Sequence, residues 1–276
     1  MRHVFACAIL CLSGLCAVPS DNPDAAPPGF DDSAVLVQSG DSSGSGVAVR
    51  RGPREFVWTA AHVVSDAQKI REVVDPQTGQ SKTVVEFDDV VLYRQTKGKD
   101  GLPVLESRVR AEVLRYSDLE FGYDLALLLA KQPSCPKGAV FADKGVAVGS
   151  RLYHVGSPGG IPGYNSYIPG LLSSRGRPTR GLWHDWLRPT LGMDQYSMAI
   201  APGSSGGPVF DRQGRVVGLV TQAYTSQNTV SFGVPVEEIR KYASECKAAW
   251  AVDDLPVPDV IRLASPRTTP VPKPKP

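Results

Sequence analysis

The 276-residue chain is 42% hydrophobic and 21% charged, ordinary proportions for a folded protein, and its formal net charge is only +2. With that balance, and no basic stretch interleaved with aromatics, nucleic acid is excluded as an expected partner. The length suits one large domain or two small ones, and a chain of this size buries roughly three quarters of its unfolded surface.

The chain opens with Arg2 and His3, then an almost unbroken apolar run from Val4 to Val18, then small and turn-forming residues. This is the layout of a secretory signal peptide over 1–20, cleaved near Ala17 to Ser20, so an exported (secreted or periplasmic) protein is expected. An uncleaved N-terminal anchor is the competing reading, but the run is shorter than the about 20 apolar residues of a comfortable span. No later stretch is apolar enough to cross a bilayer, so no stable membrane span is expected. Residues 21–33 are rich in Pro and Asp and read as a flexible lead-in.

From Ala34 the text changes to short apolar runs punctuated by Gly, Pro, Asp and Ser, including AVLVQ at 34, GVAVR at 46, EFVWT at 55, LALLLA at 125 and RLYHV at 151. Many short strands with turn signals between them predict an all-β sandwich or barrel. Within this pattern, WTAAHVV at 58–64 puts His62 at a strand end beside two alanines. A lone histidine there could be a half-buried structural one. In GYDLALLLA at 122–130, Asp124 immediately precedes a solidly apolar strand. A carboxylate buried at that edge needs a partner, and a histidine N–H would serve, although a turn-capping aspartate would look the same.

Cys7, Cys11 and Cys16 lie within the expected signal, leaving Cys135 and Cys246. Two thiols in an oxidising compartment invite a disulfide, which over a loop of about 110 residues would be worth ~4–5 kcal/mol. Two separate buried thiols are the alternative. No group of Cys, His and carboxylates has metal-ligand spacing, so no metal or cofactor is expected.

APGSSGGPVFD at 201–211 is the most specific pattern: Gly203, Gly206 and Gly207 bracket Ser204 and Ser205 ahead of an apolar strand. Glycines permit a tight turn and let backbone N–H groups approach a substrate carbonyl where negative charge develops. A serine hydroxyl needs a base to take its proton, and the base needs a third group to orient it. His62, Asp124 and Ser205 supply those roles in the chain order used on chymotrypsin-type barrels. After Pro235, Val236, Ile239, Ala243, Cys246 and Trp250 line one face of a predicted helix. From Leu255 the chain carries seven prolines in 22 residues and reads as a Pro-rich tail over 251–276.

These motifs resemble those of trypsin-like (chymotrypsin-fold) serine peptidases, most closely the protease domain of the HtrA/Deg family without a PDZ domain. TAAHV, YDLALL and APGSSGGPVFD match the family's His, Asp and Ser motifs. GSGVAV at 44–49, HVGSPGG at 154–160, VVGLVTQ at 216–222 and SFGVPVEEI at 231–239 match its flanking text. The resemblance runs roughly from Ala34 to Trp250 and is weaker over 66–110 and 161–195.

It implies an all-β fold of two six-stranded antiparallel barrels with a C-terminal α-helix. Residues 34–133 would form the first barrel, carrying His62 and Asp124. Residues 134–250 would form the second barrel, carrying Ser205, and the helix. It gives a Cys135–Cys246 bridge a plausible setting, and it implies an oxyanion hole built from the backbone N–H groups of Gly203 and Ser205. The pocket for the residue before the scissile bond would involve Ala199, Ile200, Val220 and Thr221. No aspartate stands at its expected floor and no histidine in VVGLVTQ, which leaves small or medium aliphatic residues. The substrate backbone would add as a strand near Thr221 to Tyr224. Ser204 stands where digestive relatives keep the aspartate that pairs with a freed N-terminus, so that activation switch is not expected. His154 reads as structural, and His184 lies in a Trp-rich insertion at 181–187. The expected activity is therefore secreted serine endopeptidase action on protein or peptide substrates. The alternatives are a catalytically silent binding protein on the same fold, or an esterase or acyl transferase using the same triad.

Overall fold

Strands with apolar residues on both faces need a core on each side, and the described residues supply three: one inside each barrel and one between them. The computed structural model describes residues 29, 32–74, 76–77, 79–117, 122–178, 191–223, 229–259 and 269–270. The expected signal, most of the lead-in, the 181–187 insertion with His184, Tyr224, and the tail beyond Asp259 apart from 269–270 lie outside the described residues.

Strands β1 (Ala34–Ser39), β2 (Ser42–Arg51) and β3 (Arg54–Thr59) are followed by a 3-10 turn at Ala61–Ala67 and a hairpin of β4 (Gln68–Val74) and β5 (Ser81–Phe87). Then come β6 (Val90–Lys97), β7 (Pro103–Tyr116) and β8 (Ala126–Ala130). All but the hairpin close into a six-stranded barrel in the order β1-β2-β3-β8-β7-β6. The chain continues through β9 (Val140–Phe141), β10 (Arg151–Gly156), β11 (Ser166–Pro178), β12 (Gly192–Tyr196), β13 (Pro208–Phe210), β14 (Arg215–Ala223) and β15 (Ser231–Pro235). Strands β10 to β15 close a second six-stranded antiparallel barrel through the β13–β14 pairing. Strand β9 adds to β14 in parallel. The two-barrel architecture is the expected one; the β4–β5 hairpin and parallel β9 are additions to it. Among the described residues no helix is long and apolar enough to cross a membrane.

The two-sided strands follow from this arrangement. Ala48, Val57, Ala126 and Leu128 point into the first barrel. Their neighbours Val47, Val49, Phe56, Trp58, Leu125 and Leu127 point outward, into a core shared with Tyr153, Phe210 and Leu219 of the second barrel. The continuous LALLLA run thus fills both sides of a strand caught between two cores. Helix α1 (Val236–Glu245) buries Val236, Ile239, Tyr242 and Ala243 against the shared core. The helix stops earlier than the periodicity predicts. Lys247 adopts φ 57°, Ala248 N–H donates to the Ala243 carbonyl and Lys247 N–H to that of Ser244, a Schellman ending without its usual glycine. Trp250 still reaches the same core from a 3-10 turn, 4.6 Å from Phe56. Residues 251–259 run along the first barrel: Trp58 Nε1 donates to Ala251 O at 3.1 Å and Arg54 Nη1 to Pro258 O at 2.9 Å.

The interbarrel connection is pinned by Glu55, which is fully buried. Its carboxylate accepts the N–H groups of Ser134 at 2.8 Å and Cys135 at 2.6 Å, and the Ser134 hydroxyl at 3.1 Å. The expected Cys135–Cys246 disulfide is corrected here: both thiols are free. Cys135 packs with the first-barrel interior and donates its thiol to the carbonyls of Asp32 and Lys137. Cys246 packs on the shared core and donates to Ala243 O at 3.6 Å, so the two sulfurs serve different neighbourhoods. Burial, reinforced by the negative charge of Glu55, pushes the Cys135 thiol up to about 11, which keeps it an unreactive thiol at neutral pH. Alkylation of unfolded, unreduced protein should therefore label both cysteines, and reductant should leave the Tm unchanged. Recovery of a linked Cys135–Cys246 peptide pair by mass spectrometry would contradict this.

Candidate active site

Strand β3 ends at Thr59, and Ala60 and Ala61 carry the chain into the turn holding His62. These positions are small because another loop presses on them. A Cβ on Gly206 would lie 2.3 Å from both Thr59 Oγ1 and Ser45 O, and 2.7 Å from Ala60 N. Gly206 itself sits at φ +83°, a conformation that a side chain rarely tolerates. The second-barrel serine loop thus seats directly on the strand end that presents His62.

Asp124 precedes β8 with only 3% exposure and a left-handed φ of 54°, an uncommon backbone state for a non-glycine residue. The conformation turns its carboxylate onto His62. Oδ1 accepts the His62 backbone N–H at 3.0 Å, and Oδ2 lies 2.8 Å from ring Nδ1. A carboxylate accepts, so Nδ1 carries the proton and the Nε2 lone pair is left for other use. Burial opposes charge on His62, but the adjacent Asp124 charge and hydrogen bond outweigh it and raise the imidazole above its ordinary 6.5.

The structure brings His62 and Asp124 into direct contact and docks the Ser205 loop beside them. Ser205 O accepts the Ser45 N–H at 2.7 Å, and Gly206 N–H donates to Val220 O at 2.7 Å. The Ser205 hydroxyl itself donates to Thr221 O at 3.1 Å. One step earlier, Gly203 has φ +95°, and a Cβ there would lie 2.3 Å from Ser157 O. Gly159 N–H holds Pro202 O at 2.7 Å, and in a planar trans peptide this turns the Gly203 N–H the opposite way. Among the described residues, neither the Gly203 nor the Ser205 N–H donates to a backbone carbonyl.

The residues expected to line the pocket are less uniform. Ala199 is exposed and Ile200 half-buried, whereas the Val220 side chain is fully buried in the second-barrel core. Thr221 is buried and contributes the carbonyl that takes the Ser205 hydroxyl. Ser45 went unremarked in the sequence, although its framing by Gly44 and Gly46 was a usable signal. Its hydroxyl donates to Gly203 O at 2.7 Å and accepts Ser157 N–H at 2.8 Å, and its carbonyl accepts the Thr59 hydroxyl at 2.7 Å.

The raised His62 value makes a signed prediction. A folded pKa above the unfolded one means the protonated pair stabilises the fold below pH 6.5, and this contribution is lost as pH rises through the folded value. An NMR titration should place the His62 imidazole above 6.5, and Asp124→Asn should lower it. An unchanged midpoint in the variant would show that Asp124 is not the cause.

Residues 44–219 match the model of the trypsin-like peptidase domain. A probable periplasmic DegP-like serine endoprotease of Pseudomonas savastanoi pv. phaseolicola is 31% identical over 132 residues, covering 47% of this chain and 26% of the relative. An HtrA-like serine protease of Staphylococcus aureus is 25% identical over 230 residues, covering 80% of this chain and 25% of the relative. The chain thus spans about a quarter of the length of these relatives. Two solved structures share the fold. The Rv3671c protease of M. tuberculosis in its active form has 22% identity, 82% and 85% coverage of the two chains and a TM-score of 0.56. A serine endoprotease of Yersinia pestis has 16% identity, 80% and 68% coverage and a TM-score of 0.55. By its matched domain, its motifs and its two barrels, this chain belongs to the trypsin-like peptidase family.

Proposed function

We propose that this chain is an exported serine endopeptidase in which His62, Asp124 and Ser205 act as nucleophile machinery across the interbarrel cleft. The observation that carries the reading is the buried Asp124 carboxylate held 2.8 Å from His62 Nδ1, with the Ser205 loop hydrogen-bonded to Ser45 on β2, the strand paired with the one leading to that histidine. His62 Nε2 would take the Ser205 proton as Oγ attacks the substrate carbonyl, then return it to the leaving amine. Asp124 would stabilise the imidazolium between those steps. The N–H groups of Gly203 and Ser205 would hold the oxyanion.

In the resting protein the Ser205 hydroxyl is parked on Thr221 O. Rotation about Cα–Cβ frees it on a timescale far shorter than turnover. A substrate strand laid along β14 would offer its own N–H to that carbonyl and displace the hydroxyl. With Ala199 and Ile200 ahead of the serine loop and no carboxylate among the pocket residues, a Lys or Arg side chain would be buried unpaired. Preference for Val, Ala or Ile follows. Export rests on the signal-like start and on the periplasmic naming of relatives such as the Pseudomonas protein.

Ser205→Ala should lower turnover by up to about 10⁶-fold, and Asp124→Asn by about 10⁴-fold. A fluorophosphonate that leaves the Ser205 peptide unlabelled in folded, processed protein would sink the catalytic reading. In a peptide-library digest, dominant cleavage after Lys, Arg or Glu would overturn the specificity.

A further inference from the structure

His154 is fully buried on β10, directly beneath the serine loop, and the proposed chemistry does not use it. Its Nδ1 lies 3.0 Å from Pro208 O. A carbonyl accepts, so the ring is the Nδ1–H tautomer, and its bare Nε2 is buried without a hydrogen-bond partner among the described residues. The ring edge is gripped between two glycines. A Cβ on Gly156 would lie 2.4 Å from Nε2, and one on Gly207 would lie 2.6 Å from Cε1.

Those glycines belong to the two halves of the proposed cradle. Gly156 opens the turn whose Gly159 N–H fixes Pro202 O and hence the Gly203 peptide. Gly207 and Pro208 immediately follow Ser205 and Gly206. One imidazole therefore touches both the wall that orients Gly203 and the loop that carries Ser205. We infer that His154 is a positioning residue, locking the 156–160 turn to the Ser205 loop as a neutral imidazole and releasing both when it is protonated. The inference rests on the serine-peptidase reading of this site.

Protonation would place an N–H and a positive charge where no acceptor stands, which the packed loops can relieve only by moving. Among the described residues the charged side chains of β10 and its neighbour β11 are Arg151, Arg175 and Arg177, cations that cannot offset this charge, and β13 carries none. Burial lowers the imidazole to about 4, against the opposing pull of the Pro208 carbonyl. The sign follows: neutral His154 contributes stability above pH 6.5, and that contribution is lost as pH falls through the folded value.

The test is single-turnover labelling of Ser205 with a fluorophosphonate as a function of pH, on the wild type and two variants. Protonation of His62 alone gives a log rate that falls with slope one in acid; release of His154 adds a second proton and steepens it to two below about pH 4. His154→Leu keeps the bulk but loses the donor, and should lower kinact roughly tenfold at pH 8 with KI within about twofold. His154→Gln keeps an N–H for Pro208 O and should stay within about threefold of wild type. Both should follow slope one throughout. A wild-type slope of one down to about pH 3.5 overturns the inference without any variant, so a misfolded variant leaves it decidable. Full kinact in the leucine variant overturns it equally. A wild type that does not label at any pH removes the peptidase reading itself, which is a different result.

Discussion

The site depends on one contact between backbones, that of Ser45 in the first barrel with the serine loop of the second. Ser45 N–H holds Ser205 O, its hydroxyl holds Gly203 O, and its carbonyl is tied back by Thr59 at the end of β3. Every one of these groups is main chain or a short hydroxyl, so there is little side-chain freedom through which the registration could drift. The close approach explains the glycines and alanines on both sides, since a Cβ at Gly44 would already be 3.0 Å from Ser205 O. Hydrogen bonds of this kind contribute about 1 kcal/mol each, but they are buried, and breaking one strands its partner at greater cost.

Around that contact the protein pushes two histidines in opposite directions. His62 is half-exposed and beside a carboxylate, so its charged form is favoured. His154 is sealed in the barrel with only a carbonyl for company, so its neutral form is favoured. Same side chain, opposite electrostatics: the imidazole beside a carboxylate is raised above its ordinary value, and the one sealed in the barrel is lowered. Asp194 on β12 shows the same principle for an acid, pushed up to about 6 by burial despite Arg175 at 3.6 Å.

What the sequence made legible was whatever has a local signature. Short apolar runs and turn residues announced the strands, and the contexts of His62, Asp124 and Ser205 announced the unusual positions they occupy. What it hid was set by long-range geometry. The helix end was misjudged because Lys247 takes a left-handed conformation normally signalled by glycine. The disulfide was expected from counting, but counting carries no direction, and Cys135 faces the first-barrel interior. The resemblance implied Val220 as a pocket residue beside Thr221, yet its side chain lies in the second-barrel core. His154 looked structural because its strand is apolar; only the packing of Gly156 and Gly207 against its ring shows which loops it supports.

The serine loop is held by neutral contacts. Ser204 is fully buried, and its hydroxyl accepts the Ala201 N–H at 3.4 Å, a neutral and local contact. A loop ordered by an incoming ammonium needs a buried carboxylate at that position, because an unpaired ammonium would not leave water. Here the same loop is held by neutral hydrogen bonds from Ser45 and Gly159 and by the His154 ring beneath it. The barrels that carry these groups are joined through the core shared by Trp58, Phe210 and helix α1. Order in the serine loop is thus coupled to barrel docking, and what disturbs it should be whatever disturbs that shared packing.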